Sequence, residues 1–140
     1  LEIDVERDII QNNILFNFSS GYINDIDIRH NLWNENKGLD VIYNLLCNCK
    51  NLDRMAIQLN GAYEDAKYFV TKFKSIYALL DKIIEVAFKR GCRSISIYVY
   101  IDDIYKLSSL GIYNNYEDFK EYILDRVSEY QNYIDEKYER

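Results

Sequence analysis

The sequence predicts an α/β domain, or an α+β one, with a central sheet of three to five strands and helices packed against it. Three observations carry that prediction. Apolar residues recur with the helical period in some segments and alternate with the strand period in others, the two kinds following one another along the chain. Hydrophobic residues make up 49% of the chain against 29% charged, enough to bury a core. Low-complexity linkers are absent, and 140 residues suit one domain, 1–140, by the usual prior of roughly 100–200 residues.

The elements follow in order. Leu1 to Asn12 is amphipathic, but Ile3, Val5, Ile9 and Ile10 fit neither period cleanly. Asn13 to Ser19 is short, apolar and aromatic and reads as a buried strand, closed by the turn Ser19-Ser20-Gly21. Gly21 to Asn36 is polar, with Asp25, Asp27, Arg29 and His30, and reads as a loop or short irregular elements, in which Trp33 is a core anchor or, given its polar surroundings, an interface residue. Leu39 to Cys49 reads as a helix, because Leu39, Ile42, Leu45, Leu46 and Cys49 share one face. Leu52 to Leu59 alternates, with Met55, Ile57 and Leu59 on one side and Arg54 and Gln58 on the other, as a half-buried strand does. Asn60-Gly61 is a hairpin turn signal that stops it.

Ala62 to Lys74 admits two readings: a strand with Phe69, Thr71 and Phe73 on one face, or the start of one long helix. From Ser75, a plausible N-cap, the helix is clear, and Gly91 terminates it after Lys89 and Arg90. Ser94 to Ile101 is nearly continuous in β-branched and aromatic residues, which predicts a central strand. Asp102-Asp103 ends that strand, and Ile104 to Leu110 reads as a short helix closed by Gly111. Asn115 starts the last helix, with Asp118 three residues on as in a capping box. Its apolar stripe is Tyr116, Phe119, Ile123, Val127, Tyr130, Ile134 and Tyr138.

Charge narrows the function classes. The formal net charge is −6. From Leu1 to Asn36 there are 7 acids and 2 bases, from Lys37 to Tyr100 there are 6 and 10, and from Ile101 to Arg140 there are 10 and 5. An acidic chain binds nucleic acid poorly, because phosphate affinity comes from Lys and Arg. It suits a basic protein partner, drawn in by the summed field. No apolar run approaches the ~18 residues of a membrane span, so no membrane role is expected. Leu1 to Asp8 carries Glu2, Asp4, Glu6 and Asp8 and lacks a secretory leader pattern, so the expected location is cytoplasmic. Cys47, Cys49 and Cys92 are an odd number of thiols, expected to be reduced and to act as small core residues. Together with the single His30 they fall outside common zinc spacings, so no metal or cofactor is expected.

Motifs of catalysis are missing: there is no GxGxxG, Walker-type loop, HExxH or GxSxG, and the chain has only 5 Gly. Asp102 and Asp103, at the carboxyl end of a strand, could bind a cation or work as general acid and base. The plainer reading is a cap on the helix that follows. The acidic, Tyr-rich stretch from Asp118 to Arg140 is the most distinctive feature. Glu117, Asp118, Glu121, Tyr122, Asp125, Glu129 and Tyr133 are the candidate partner-binding residues, set against the plain alternative of a solvated outer helix face.

Two resemblances follow from these residues. Lys89-Arg90-Gly91-Cys92-Arg93-Ser94-Ile95, within Ser75 to Asp103, resembles the helix–Gly–strand segment of macro domains, which bind ADP-ribose. The likeness covers about a fifth of the chain, and the family's Asn-rich and Gly-rich ligand loops are missing here, so no residue is carried over. The acidic helix with its tyrosines resembles, in general character, the small immunity proteins of bacterial toxin systems. That resemblance implies a cytosolic, non-enzymatic inhibitor that occludes a basic, often nuclease, toxin. The expectation is therefore an acidic protein-binding inhibitor. The alternative is a small nucleotide-, ADP-ribose- or metal-dependent domain using Asp102 and Asp103, and a Tyr-faced homodimer is a third reading.

Overall fold

Four parallel strands lie side by side in chain order: β1 (Glu2–Asp4), β2 (Asp25–Asn31), β3 (Arg54–Ala62) and β4 (Ser94–Asp102). The computed structural model describes residues 1–12, 23–62 and 74–102, and helical positions 117, 121, 124–126, 128–129, 131–132 and 135–136. A π-helical turn, Val5–Gln11, follows β1. Helix α1 (Leu39–Cys47) precedes β3, and α2 (Lys74–Lys89) precedes β4. The predicted α/β class with helices on a three- to five-stranded sheet is thus the observed one. None of the described helices is long and apolar enough to cross a membrane.

Parallel neighbours require crossover connections, and these are right-handed in nearly all proteins. With that hand, steps in one direction across the sheet put α1 and α2 on the same side of it. The burial pattern agrees. On one face Ile3, Ile28, Ile57 and Ile97 form a row across all four strands, and Ile26, Met55 and Ile95 form another. All are buried, together with Leu39, Ile42, Leu45 and Leu46 of α1 and Ile76, Leu80, Ile83, Ile84 and Ala87 of α2. Each such side chain contributes about 1.5–3 kcal/mol on leaving water. The opposite face is mostly polar, with Ala56 among its charged and hydroxyl-bearing side chains, as described below.

Local chemistry sets the element ends. Asp4 accepts from the Arg7 N–H at 3.1 Å, and Asp8 reaches back to the Asp4 N–H at 2.9 Å, a reciprocal cap on the π-helical turn. Arg7 pairs with Asp8 at 2.8 Å, which holds that carboxyl below its ordinary range. Gly38 starts α1 without a side-chain cap, at φ 86°. It is there because the chain passes so close to the π-helical turn: a Cβ on Gly38 would lie 2.6 Å from Cγ1 of the buried Val5. Gly91 ends α2 at φ 88° with open space around it.

Several sequence expectations are corrected. Asp25 to Asn31 is a strand, not part of a loop, because Ile26, Ile28 and His30 alternate into the core while the charges between them face solvent. Asn60-Gly61 does not stop β3, which continues to Ala62, paired to β4 throughout. Ser75 lies inside α2, which starts at Lys74. β4 is the end strand of the described sheet and not a central one. Trp33 is 52% exposed on the 3₁₀ turn Leu32–Asn34 and is not a core anchor. The readings for Asn13 to Ser19, the choice within 63–73, and Ile104 to Leu110 lie outside the described residues.

His30 takes a core position in β2 and is 1% exposed. Its Nε2 lies 2.6 Å from the Glu35 carbonyl oxygen, which can only accept, so Nε2 carries the proton. Glu35 is itself strained, at φ 51°. Nδ1 is buried with no hydrogen-bond partner among the described residues. Burial pushes the imidazole pKa down, against smaller opposing effects of the Glu35 carbonyl and Glu6.

Two predictions follow. The folded state holds its His30 proton less tightly than the unfolded chain, so the unfolded state gains stability as pH falls below about 6.5, the ordinary imidazole value. Urea unfolding should show stability dropping by up to ~1.4 kcal/mol per pH unit below that point, with the slope flattened in His30→Gln. Gly91→Ala should cost about 1–2 kcal/mol for its left-handed backbone alone. Gly38→Ala should cost about 1–3 kcal/mol more, because Val5 has no room to yield.

Candidate functional site

Alternation along the strands builds the face of the sheet that carries no helix among the described residues. Register places its side chains in rows: Asp25, Arg54 and Ser94; then Glu2, Asp27, Ala56 and Ser96; then Asp4, Arg29, Gln58 and Tyr98; then Asn31, Asn60 and Tyr100. Parallel sheets are ordinarily covered on both sides and apolar on both. Here Tyr98 and Tyr100 are 51% and 54% exposed, their rings stacked with centroids 6.4 Å apart and planes 30° apart.

Arg54 organises the first two rows. Its guanidinium bonds Asp27 at 2.9 Å and also bonds Asp25, and these two partners hold its proton more firmly than usual. Ala56 and Ser96 are short, while Arg54, Gln58 and Tyr98 around them are long. The difference leaves a cavity of about 310 Å³ lined by Glu2, Asp4, Asp27, Arg54, Ala56 and Tyr98 among others. A second cavity of about 320 Å³ lies at the carboxyl ends of β1 to β3 and shares Asp4, Arg7 and Arg29 with the first. Of these lining residues, Asp27, Arg29, His30 and Asn31 are the ones that a sequence reading of Gly21 to Asn36 as a loop misses. The signal that finds them is the strict polar–apolar alternation Asp25-Ile26-Asp27-Ile28.

The candidate acidic helix is described in part. Glu121, Asp125 and Glu129 are exposed and Glu117 is half-buried. All four sit in helix at four-residue spacing, which places them on one stripe. Asp118, Tyr122 and Tyr133 lie outside the described residues. Among the described residues, Arg126 and Gln131 tie these helical positions to the body. Arg126 bonds Asp81 of α2 at 2.9 Å and Glu129 at 3.0 Å. Gln131 accepts from the Ile95 N–H and donates to the Arg93 carbonyl, both at 3.3 Å, and so covers the start of β4. One of the four acids is therefore engaged with a neighbouring arginine.

The remaining candidates are quickly placed. Asp102 is exposed at the end of β4 and lines neither cavity, and Asp103 is outside the described residues. Cys49 and Cys92 are buried thiols bonded to the Leu45 and Ser94 carbonyls, and Cys47 is half-buried. Burial pushes Cys92 up to about 11 and raises Cys49 as well, which suits inert core thiols and not nucleophiles. No group of three or more His, Cys, Asp or Glu among the described residues is placed to hold a metal. Comparison with protein-family models, curated proteins and solved structures finds no match.

The docking of the acidic helix gives a prediction. Both side chains of the Arg126–Asp81 pair are only about a third exposed, so it should outperform an open surface pair. A double-mutant cycle with Arg126→Gln and Asp81→Asn, read by urea unfolding, should show a coupling of about 0.5–1 kcal/mol.

Proposed function

We propose that this chain is an acidic protein-binding inhibitor of the toxin-immunity type, which neutralises a basic, nuclease-like toxin by occluding its active surface. The observation that supports this reading most is the stripe Glu117, Glu121, Asp125 and Glu129 on a helix anchored to the domain. Only Glu129 of the four forms an ion pair among the described residues, so three carboxylates stay available to a partner. Their spacing along the helix lets them stand where a nucleic acid's phosphates would lie on the toxin. In that role, carboxylates held on a fixed backbone raise the encounter rate and exclude uncharged partners. The reading places the protein in the cytoplasm, where unpaired Cys47, Cys49 and Cys92 remain reduced.

The test is affinity for a basic toxin encoded beside this chain, measured at low and at physiological salt. Binding should weaken markedly as salt rises. The double reversal Glu121→Lys with Asp125→Lys should lower affinity by about tenfold or more at low salt and reduce the salt dependence, with an unchanged circular dichroism spectrum. Binding that is absent, or indifferent to both salt and reversal, contradicts the reading.

A further inference from the structure

We propose that the face of the sheet opposite α1 and α2 is a second contact surface, which receives an extended, arginine-bearing segment of the basic partner. The partner's guanidinium would sit over Ala56, beside the carboxylate of Glu2 and the ring of Tyr98. This inference rests on the basic-partner reading above and gives the partner a place on the sheet.

Three features of the face point to that occupant. The first is shape. The cavity over Ala56 exists because a small side chain is surrounded by long ones, and it opens onto the sheet surface beside Tyr98. The face spans three inter-strand steps of about 4.8 Å, the reach of about four extended residues. The second is charge. Arg54 is taken up by Asp25 and Asp27, and Arg7 by Asp8. The cavity lining itself holds three acids, Glu2, Asp4 and Asp27, and three arginines, Arg7, Arg29 and Arg54; Asp8 and Asp25, outside the lining, take up Arg7 and Arg54, which leaves Glu2 and Asp4 against Arg29. Glu2 has no ion pair among the described residues and is exposed. The third is aromatic surface. Tyr98 and Tyr100 present more than half of their area at the rim, and a guanidinium within about 6 Å of such a ring gains attraction from its π-face.

Aromatic rings on a sheet also serve single-stranded nucleic acids, whose bases stack on them. That use needs a basic track for the phosphates, and here two of the three nearby arginines are already neutralised by aspartates. A protein segment is the better fit.

The experiment is a nuclear magnetic resonance titration of the full isotope-labelled chain with three probes. These are a capped tetrapeptide with one central arginine, its citrulline twin and a short oligothymidylate. The arginine peptide should shift Ala56, Glu2 and the Tyr98 ring, and the citrulline peptide should bind at least about fivefold more weakly. Tyr98→Leu and Glu2→Gln should each weaken the arginine peptide by about threefold or more, whereas Tyr98→Phe should retain binding because the ring is kept. Shifts confined to helical positions 117–129 overturn the sheet-face inference and leave the basic-partner reading standing. Shifts nowhere count against both. Shifts at Tyr98 and Tyr100 with oligothymidylate but not with the peptide overturn the choice of a protein occupant.

Discussion

In a parallel sheet whose strands run in chain order, crossovers of one hand all fall on one side and do not cover the other face. In this protein that constraint governs the rest. It gathers the π-helical turn, α1 and α2 over a single aliphatic layer, and it leaves Asp25, Asp27, Arg29, Arg54, Gln58, Tyr98 and Tyr100 on the other side. A polar face on a parallel sheet is uncommon. Its sequence correlate is visible strand by strand, since each strand alternates instead of being apolar throughout.

Electrostatics divides between structure and recognition. Arg54, Arg7 and Arg126 each spend their charge within the molecule, on Asp25 and Asp27, on Asp8, and on Asp81 and Glu129. Exposed pairs of this kind add little stability, with a typical value of about 0–1 kcal/mol. Their larger effect is to fix side-chain positions and to leave the remaining carboxylates as the uncompensated charge. Those lie at both ends of the chain, at Glu2 on the sheet and at Glu121 and Asp125 on the last helix. Among the described residues two polar side chains are buried, Asp8, which is paired with Arg7, and His30, which is bonded to the carbonyl of its strained neighbour Glu35.

Much of the fold was legible from residues alone, and the misses share a cause. Helix α1, helix α2 with its Gly91 stop, and strands β3 and β4 each bury enough aliphatic residues for their period to stand out. β2 does not. Its seven residues include two aspartates, an arginine, a histidine and an asparagine, so average polarity hides the alternation of Ile26, Ile28 and His30. The same averaging hid the candidate face, because its residues are the polar half of each strand and come together only through register. Continuity misled in the opposite direction at β4, where exposed tyrosines count as apolar and imitate a central strand. Asn60-Gly61 carried a turn signal that pairing with Tyr100 and Ile101 overrides.

The central claim is that one side of this sheet is open to water and available for contact. A soluble gadolinium chelate added to the labelled protein reports it directly, by accelerating proton relaxation wherever solvent reaches. The account predicts fast relaxation at the rings of Tyr98 and Tyr100 and at the Ser94 and Glu2 side chains, with the methyls of Ile28, Ile57 and Ile97 protected. Tyrosine rings on β4 as well protected as those isoleucine methyls would contradict it.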